Sequence, residues 1–267
     1  ILLIMVNRNK EEIINAGALP FLLNLLVSGA LLRVKESAIS VLLTISCLDK
    51  NKAAIGSSGA MKILVNHLDG GSRQGVKDAL ITLFNLSGLS DNCLCMLKDG
   101  VIPKLFHLLD LGDMELIEKC LSMLYDLGSI EEGRSAIVET DGGISMLVEF
   151  LDSGSLEEKE LIVSIFLVIC TNNHEHSQAV LKEGAIPSLV MLSVNGSPKG
   201  KDKALRLLQH FREERQKDVM WQAAFQIPSL SESFDGKDTR CKSERGFFWR
   251  KTFSFIRKSK SVAFYHC

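Results

Sequence analysis

Aromatic residues are scarce in this chain of 267 residues, at 6% of the total, and there are only five prolines. Hydrophobic residues nevertheless reach 46%, mostly as leucine, isoleucine, valine and alanine. A disordered chain would be poorer in such residues, and few aromatics with few prolines favour packed helices. The chain is long enough to bury a substantial core, as one large domain or two small ones.

Neither the overall charge nor the apolar segments point to nucleic acids or membranes. Lys and Arg number 31 against 32 Asp and Glu, so the chain lacks the basic excess that attracts nucleic acids. No uninterrupted apolar run approaches the ~20 residues of a membrane span. The opening ILLIMV is too short for the apolar region of a signal peptide and lacks a basic leader. We therefore expect no nucleic-acid partner and no secretory leader.

The seven cysteines are an odd number at irregular spacing, and several lie inside apolar helical patterns. This usage is typical of reduced thiols in a cytoplasmic or nuclear protein.

Residue patterns that would support catalysis or metal binding are also missing. Cys93-Leu-Cys95 lacks the second pair that a zinc site needs. His174 and His176 are spaced so that they would not share one helix face, and we interpret them as part of a loop between repeats. No Gly-x-Ser-x-Gly nucleophile motif is present. The sequence therefore predicts no catalytic residue, no cofactor and no metal in this chain.

A short pattern recurs along the chain: a glycine ends an amphipathic helix, and an apolar helix follows. Its most complete copy is KEGAIPSLVML at residues 182–192, and the recurring glycines are 41 or 42 residues apart. They are Gly17, Gly59, Gly100, Gly142 and Gly184. A residue just past a helix end commonly needs positive φ, which glycine adopts freely. Where proline follows the glycine, we expect it at the first position of the next helix.

Each copy continues into a polar turn and a longer, strongly apolar third helix. The third helices are predicted at 34–46, 76–87, 117–128, 159–170 and 201–212. These helices are too apolar to stand alone and must be covered by neighbouring repeats, so the sequence predicts an all-α solenoid. Three helices in about 42 residues fit the length and layout of the armadillo repeat.

Gly-Ala-Ile-Pro-Ser-Leu-Val at residues 184–190 resembles the armadillo repeat. The longer segment 181–216 is similar to the last armadillo repeat of plant U-box proteins, and 247–267 resembles the tail of one subgroup. The resemblance implies a right-handed armadillo α-solenoid with a disordered or loosely docked C-terminal tail. In that family the U-box recruits a ubiquitin-conjugating enzyme, and the armadillo array holds the substrate or a regulatory partner.

The expected organisation places armadillo repeats at 1–215, a linker at 216–245 and a basic aromatic tail at 246–267. The repeats are a partial one at 1–7 and full ones at 8–48, 49–90, 91–131, 132–173 and 174–215. The first residues align with 43–59, so we expect the sequence to start inside a third helix, with no room for a U-box. Two functions remain open: the partner-binding region of a plant U-box-type ubiquitin ligase, or a scaffold without ligase activity. A ubiquitin-conjugating enzyme is an expected partner only if a U-box lies upstream.

The third helices are expected to line the concave partner-binding groove of the solenoid. In armadillo proteins that bind nuclear import signals, ladders of Trp and Asn on these helices clasp an extended peptide. The Asn-equivalent positions here are Thr44, Asn85, Asp126, Val168 and His210, and the Trp-equivalent positions are Ser40, Ile81, Ser122, Ser164 and Arg206. Only Asn85 matches, so the sequence disfavours import-signal binding.

One turn earlier a third row contains four acids among five residues: Glu36, Lys77, Glu118, Glu160 and Asp202. Whole-turn spacing places the three rows on one helix face. One interpretation is a mildly acidic groove that takes a basic or hydroxyl-rich segment of a partner protein. The alternative is that acids collect in the first turn of a helix because of its dipole.

Basic and aromatic residues alternate in the C-terminal tail. They include Phe247, Phe248, Trp249, Arg250, Lys251, Phe253 and Phe255. Three interpretations remain open: a segment that caps the last repeat or docks on a partner, a nuclear localisation signal, or contact with an anionic membrane surface. The first is favoured over membrane contact.

Overall fold

The structure is a computed structural model that describes the backbone of residues 7–225 and the side chains of residues 9–216. The chain divides into two units, Ile1–Trp221 and Gln222–Cys267. The predicted tail at 246–267 and most of the predicted linker lie outside the described residues.

All regular elements of the described residues are α-helices, as the sequence predicts. They are α1 (Asn7–Asn15), α2 (Ala18–Val27), α3 (Leu32–Ser46), α4 (Asp49–Ser57), α5 (Ala60–His67), α6 (Arg73–Ser87), α7 (Ser90–Lys98), α8 (Val101–Asp110), α9 (Met114–Gly128), α10 (Glu131–Glu139), α11 (Gly143–Ser153), α12 (Leu156–Cys170), α13 (His174–Lys182), α14 (Ile186–Asn195) and α15 (Pro198–Phe225). They form five successive triplets of a short first helix, a second helix and a long third helix. None of the helices in the described part of the chain is both long and apolar enough to cross a membrane.

The recurring glycine separates the first and second helices of every repeat. Its φ lies in the left-handed region in all five copies, from 66° at Gly142 to 86° at Gly59. No atom lies within 4 Å of a Cβ built on any of these glycines, so there is space for a side chain. Glycine is therefore favoured by the backbone conformation, not by crowding.

The expected position of proline is wrong in two repeats. The second helix begins directly after the glycine, so Pro20 and Pro103 are the third residues of α2 and α8. Only Pro187, the second residue of α14, lies next to the predicted position. Proline is tolerated at all three places because the first four N–H groups of a helix have no partner within the helix.

The third helices begin two or three residues earlier than predicted, and in four repeats a capping residue precedes them. The side chains of Ser72, Asp113, Ser155 and Ser197 accept hydrogen bonds from backbone N–H groups two or three residues later. In the first repeat Leu31 occupies this place, is 76% exposed and offers no acceptor.

The last third helix is also longer than predicted: α15 runs to Phe225, into the segment predicted as a linker from residue 216. The sequence from 213 to 225 contains no glycine or proline and is rich in good helix formers.

The third helices α3, α6, α9 and α12 pack successively against one another, and each second helix of the inner repeats packs on the third helix of its own repeat. In α3 the buried side consists of Ala38, Ile39, Leu42 and Ile45, with the spacing of one helix face. The opposite side of the third helices stays open, and Ser40 is exposed there.

Buried asparagines link neighbouring repeats, a device that the sequence analysis missed. The Asn51 amide on α4 donates to the carbonyl oxygens of Ile45 and Lys10, both at 3.0 Å. One repeat later, the Asn92 amide donates to Leu86 O at 3.0 Å and Lys52 O at 3.2 Å. Each asparagine thus joins its own first helix to the first and third helices of the preceding repeat.

Candidate partner-binding surface on the third helices

The open sides of α3, α6, α9, α12 and α15 form what we call the third-helix surface. The three predicted rows map onto equivalent places in every repeat, because each row is spaced by whole helical turns. The row containing Glu36 is the fifth residue of each third helix, the row of Ser40 is the ninth, and the row of Thr44 is the thirteenth.

The structure contradicts the explanation of the acidic row by the helix dipole. Glu36, Glu118, Glu160 and Asp202 lie in the second turn of their helices, because each helix begins earlier than predicted. The attraction of the dipole for acids falls off within the first turn, so the position of these acids needs another reason.

Two of the acids bind the following repeat instead of facing solvent freely. Glu36 Oε1 accepts a hydrogen bond of 2.8 Å from the backbone N–H of Ser72, the residue that caps α6. Glu160 accepts from Ser197 Oγ at 2.8 Å and from Lys203 Nζ at 2.9 Å. Hydrogen bonds from Ser72 lower the pKa of Glu36 below its ordinary value. Those from Lys203 and then Ser197 do the same for the pKa of Glu160.

The second and third repeats are linked at the same edge with the charges reversed. Lys77 Nζ lies 2.6 Å from Glu115 Oε2, and Arg73 binds both oxygens of Asp113 at 2.6 and 2.9 Å. The hydrogen bond from Lys77 lowers the pKa of Glu115, and that from Arg73 lowers the pKa of Asp113. Such exposed pairs contribute little stability individually, but they fix the relative position of α6 and α9.

These links reduce the predicted acidic groove to two exposed acids. The Glu118 side chain is 65% exposed, and Asp202 is also exposed. The negative charges of Glu36 and Glu160 already have partners within the chain.

Three members of the row of Thr44, namely Asn85, Asp126 and Val168, contact the preceding repeat. Asn85 Nδ2 donates to Ser46 Oγ at 3.0 Å, and Asp126 Oδ2 accepts from Ser87 Oγ at 2.7 Å. The other members are Val168, which faces the backbone of Gly128, and His210, whose Nε2 lies 3.3 Å from Ser177 Oγ. The single asparagine that matches the import-signal ladder thus serves a contact between repeats.

The row of Ser40 differs most from one repeat to the next. Ser40 and Arg206 are exposed, and Ile81 and Ser122 are half-buried. Ser164 is only 7% exposed, and its hydroxyl donates to Glu160 O at 2.7 Å. We therefore remove Ser164 from the candidate contact residues.

A fourth row, which the sequence analysis missed, is apolar in four repeats. It lies one residue before the row of Thr44 and consists of Leu43, Phe84, Tyr125 and Leu167, with Gln209 in the last repeat. Tyr125 is 39% exposed, Leu43, Phe84 and Leu167 are half-buried, and Gln209 is exposed. Lys119 Nζ of the next third helix lies 4.7 Å from the centre of the Phe84 ring. The sequence signal that could have identified this row is the recurrence of a large apolar residue at the same place in four repeats.

The histidines near residue 174 lie in a helix, not in the predicted loop, since His174 is the first residue of α13. Ser177, His210 and Glu214 lie close together, but the serine and glutamate oxygens both approach His210 Nε2, each at 3.3 Å. A catalytic triad would place them on opposite ring nitrogens, and Ser177 is fully buried. Within the described residues no three His, Cys, Asp or Glu side chains are placed to hold a metal ion.

Comparison with known proteins gives a consistent result. A sequence profile described as the plant U-box protein ARM repeat region matches residues 57–224. The chain is 48% identical over 213 residues to U-box domain-containing protein 6 of Arabidopsis thaliana, covering 79% of this chain and 27% of the relative. It is 35% identical over 272 residues to U-box domain-containing protein 45 of the same plant, covering 98% of this chain and 35% of the relative. The chain thus spans about a third or less of the length of these relatives.

Solved armadillo structures have the same fold. A designed armadillo repeat protein superposes with a TM-score of 0.69 at 24% identity, covering 79% of this chain and 89% of that one. A second, solved in complex with the peptide (KR)4, gives 0.67 at 25% identity, covering 77% and 86%. With the profile match and the close plant relatives, this confirms the armadillo fold that the sequence predicts. The chain belongs to the armadillo-repeat region of the plant U-box protein family.

Proposed function

We propose that the third-helix surface binds an extended segment of a partner protein. The observation that carries this proposal is the row of Leu43, Phe84, Tyr125 and Leu167, which presents one large apolar side chain on an open face in each of the first four repeats. Partly exposed aromatic residues are common binding anchors. Two designed armadillo neighbours are described by peptide binding, one in complex with (KR)4 and one made for modular peptide recognition, which supports this role.

The polar groups around this row indicate the kind of segment that fits. Large apolar side chains of the bound segment would lie between successive third helices, against Phe84 and Tyr125. Glu118 and Lys119 on α9 offer charged groups of both signs in this region, and Arg206 adds a positive charge in the last repeat. A segment that is apolar at intervals, with a few charges between, therefore fits better than a uniformly basic one.

The test is a selection of peptides from a displayed library on the purified chain, followed by affinity measurements on variants. Tyr125→Ala should weaken the selected peptides about tenfold, or about 1.4 kcal/mol, as expected for loss of an aromatic anchor. The matched control is Leu111→Ala, which truncates a more exposed apolar residue at the end of a second helix. Equal affinity of the Tyr125→Ala variant and the parent would contradict the proposed surface.

We further propose that the full-length protein is a U-box-type ubiquitin ligase and that this surface selects its substrate or a regulator. The support is the family membership and the U-box named in the relatives. The test is ubiquitin transfer by the full-length protein with a ubiquitin-conjugating enzyme. Transfer to a partner that Tyr125→Ala no longer binds should fall with the affinity. Lack of any transfer would favour the second candidate, a scaffold that binds partners without modifying them.

The proposed location is the cytoplasm or nucleus, supported by five free cysteines in the described part of the chain. Imaging of the tagged full-length protein tests it.

A further inference from the structure

Neighbouring second helices are linked by a pair of residues that recurs along the chain. Lys104 Nζ on α8 binds Asp69 Oδ2 in the turn after α5, and Ser188 Oγ on α14 donates to Asp152 Oδ1 on α11 at 3.1 Å. Between α8 and α11 the equivalent residues are Asp110 and Met146. Methionine cannot donate a hydrogen bond, so the acid has no partner at this junction.

An open cleft of about 800 Å³ lies at this junction, between α7, α8, α10 and α11. Its lining includes the buried side chains of Ile102 and Phe106 and the half-buried Ala136 and Met146. A second hollow shares Asp110 and Met146 with it and adds the half-buried Phe150. Together they form what we call the second-helix cleft, a furrow lined by apolar groups.

The charged groups at the edge of the second-helix cleft are acidic. Asp110, Glu139 and Asp141 line the main cleft, and Glu149 lines the adjoining hollow. All four are exposed. Within the described part of the chain none of the four forms an ion pair or a side-chain hydrogen bond, and His107 is the only basic residue in the lining of the two hollows.

We propose that the second-helix cleft binds a partner segment in which Lys or Arg alternates with large apolar side chains. An apolar segment alone would bury part of these carboxylates without a compensating charge, which costs free energy. A basic segment alone would leave the apolar lining uncovered. A segment with both kinds of side chain covers the apolar lining and pairs with the carboxylates. Its positive charge would also speed association with the acidic edge of the cleft.

The second-helix cleft faces away from the third-helix surface, because second helices pack on the buried side of the third helices. The two surfaces can therefore bind separate partners at the same time. This proposal does not depend on the partner of the third-helix surface.

The test measures binding of a synthetic peptide of alternating lysine and leucine to two variants of equal net charge. The cleft variant carries Asp110→Asn, Glu139→Gln, Asp141→Asn and Glu149→Gln. The control variant carries Asp49→Asn, Asp91→Asn, Glu131→Gln and Glu132→Gln, all at exposed positions on first helices, outside the cleft and outside the third-helix surface. The cleft variant should bind at least about tenfold more weakly than the parent, while the control variant keeps its affinity.

Met146→Lys is a second, independent variant, since it restores the donor that Lys104 provides one repeat earlier. It should bind the peptide at least about tenfold more weakly and raise the midpoint of thermal unfolding. A peptide of alternating glutamate and leucine should not bind, and a peptide selected on the third-helix surface should not compete.

Three results would overturn the proposal: equal loss of affinity in the cleft and control variants, unchanged affinity of Met146→Lys, or competition by the third-helix peptide. Thermal unfolding of each variant distinguishes lost binding from lost structure.

Discussion

Replacing Asn92 with alanine removes two hydrogen bonds at the junction of the second and third repeats. The Asn92 side chain is buried, and its amide donates to the carbonyl oxygens of Leu86 and Lys52. A typical hydrogen bond contributes about 1 kcal/mol, and a buried group left without its partner costs more. We expect Asn92→Ala to lower the free energy of unfolding by about 2–3 kcal/mol.

The matched control is Asn66→Ala, because Asn66 is an exposed asparagine on α5. Both substitutions gain the same helix propensity, a few tenths of a kcal/mol, so the difference between them isolates the buried contacts. Urea unfolding followed by circular dichroism gives both values. A difference below about 0.5 kcal/mol would refute the reasoning, because exposed substitutions vary by that amount.

A double-mutant cycle sharpens this test. A Cβ on Gly56 would lie 1.8 Å from Asn92 Oδ1, so Gly56→Ala should displace the asparagine from its position. The alanine at position 92 removes that clash, and the double variant should be less destabilised than the sum of the single ones. Additive effects would show that the glycine and asparagine act independently.

Two further predictions concern a helix cap and the buried thiols. Leu31→Ser should stabilise the chain by about 0.5–1 kcal/mol, because it gives α3 the capping oxygen that the later repeats have. Leu111→Ser, the control, should not stabilise the chain. Equal effects of the two substitutions would contradict the capping explanation. Burial raises the pKa of Cys120 and Cys170 from 9.0 to about 12. Between pH 9 and 12 the folded state therefore keeps two protons that the unfolded state loses. The contribution of the two neutral thiols to the free energy of unfolding is complete below pH 9 and falls as the pH rises towards 12. At pH 10 the loss should be about 1.4 kcal/mol per thiol. The variant with both cysteines changed to alanine should therefore lose less stability between pH 8 and 10 in urea unfolding than the variant with Cys47→Ala.

The repeat and its helices could be predicted from the sequence because their signals are local. A glycine such as Gly59, placed directly after a helical pattern, predicts a residue with positive φ at the point where the helix ends. The starts of the third helices were missed, since Ser72 and Asp113 signal a cap only when the following residues are known to be helical. The end of α15 was missed because the change to a polar sequence was interpreted as the end of the helix.

The helix face that carries the candidate site was predictable from the sequence, whereas the contacts that its side chains make were not. Whole-turn spacing places Glu36, Asn85 and Glu160 on the open side of the third helices. Their partners Ser72, Ser46 and Lys203 belong to neighbouring repeats, and which residues meet depends on the offset between repeats. The row containing Tyr125 could be recognised in the sequence as large apolar residues that recur once per repeat. Its exposure, however, depends on the distance between successive third helices.

The junction between the third and fourth repeats differs from its neighbours in the kind of contact that holds it. Gly133 replaces the linking asparagine there, Val168 faces Gly128, and Met146 faces Asp110. In the described chain the polar side chain that joins these two repeats is Arg134, which donates to backbone carbonyls at the end of α9.

Apolar packing has no preferred direction, and among the described residues no side-chain hydrogen bond joins α9 to α12 directly. Directed polar pairs thus help to fix the relative position of the repeats at the other junctions, whereas the shapes of apolar side chains do most of this between the third and fourth repeats.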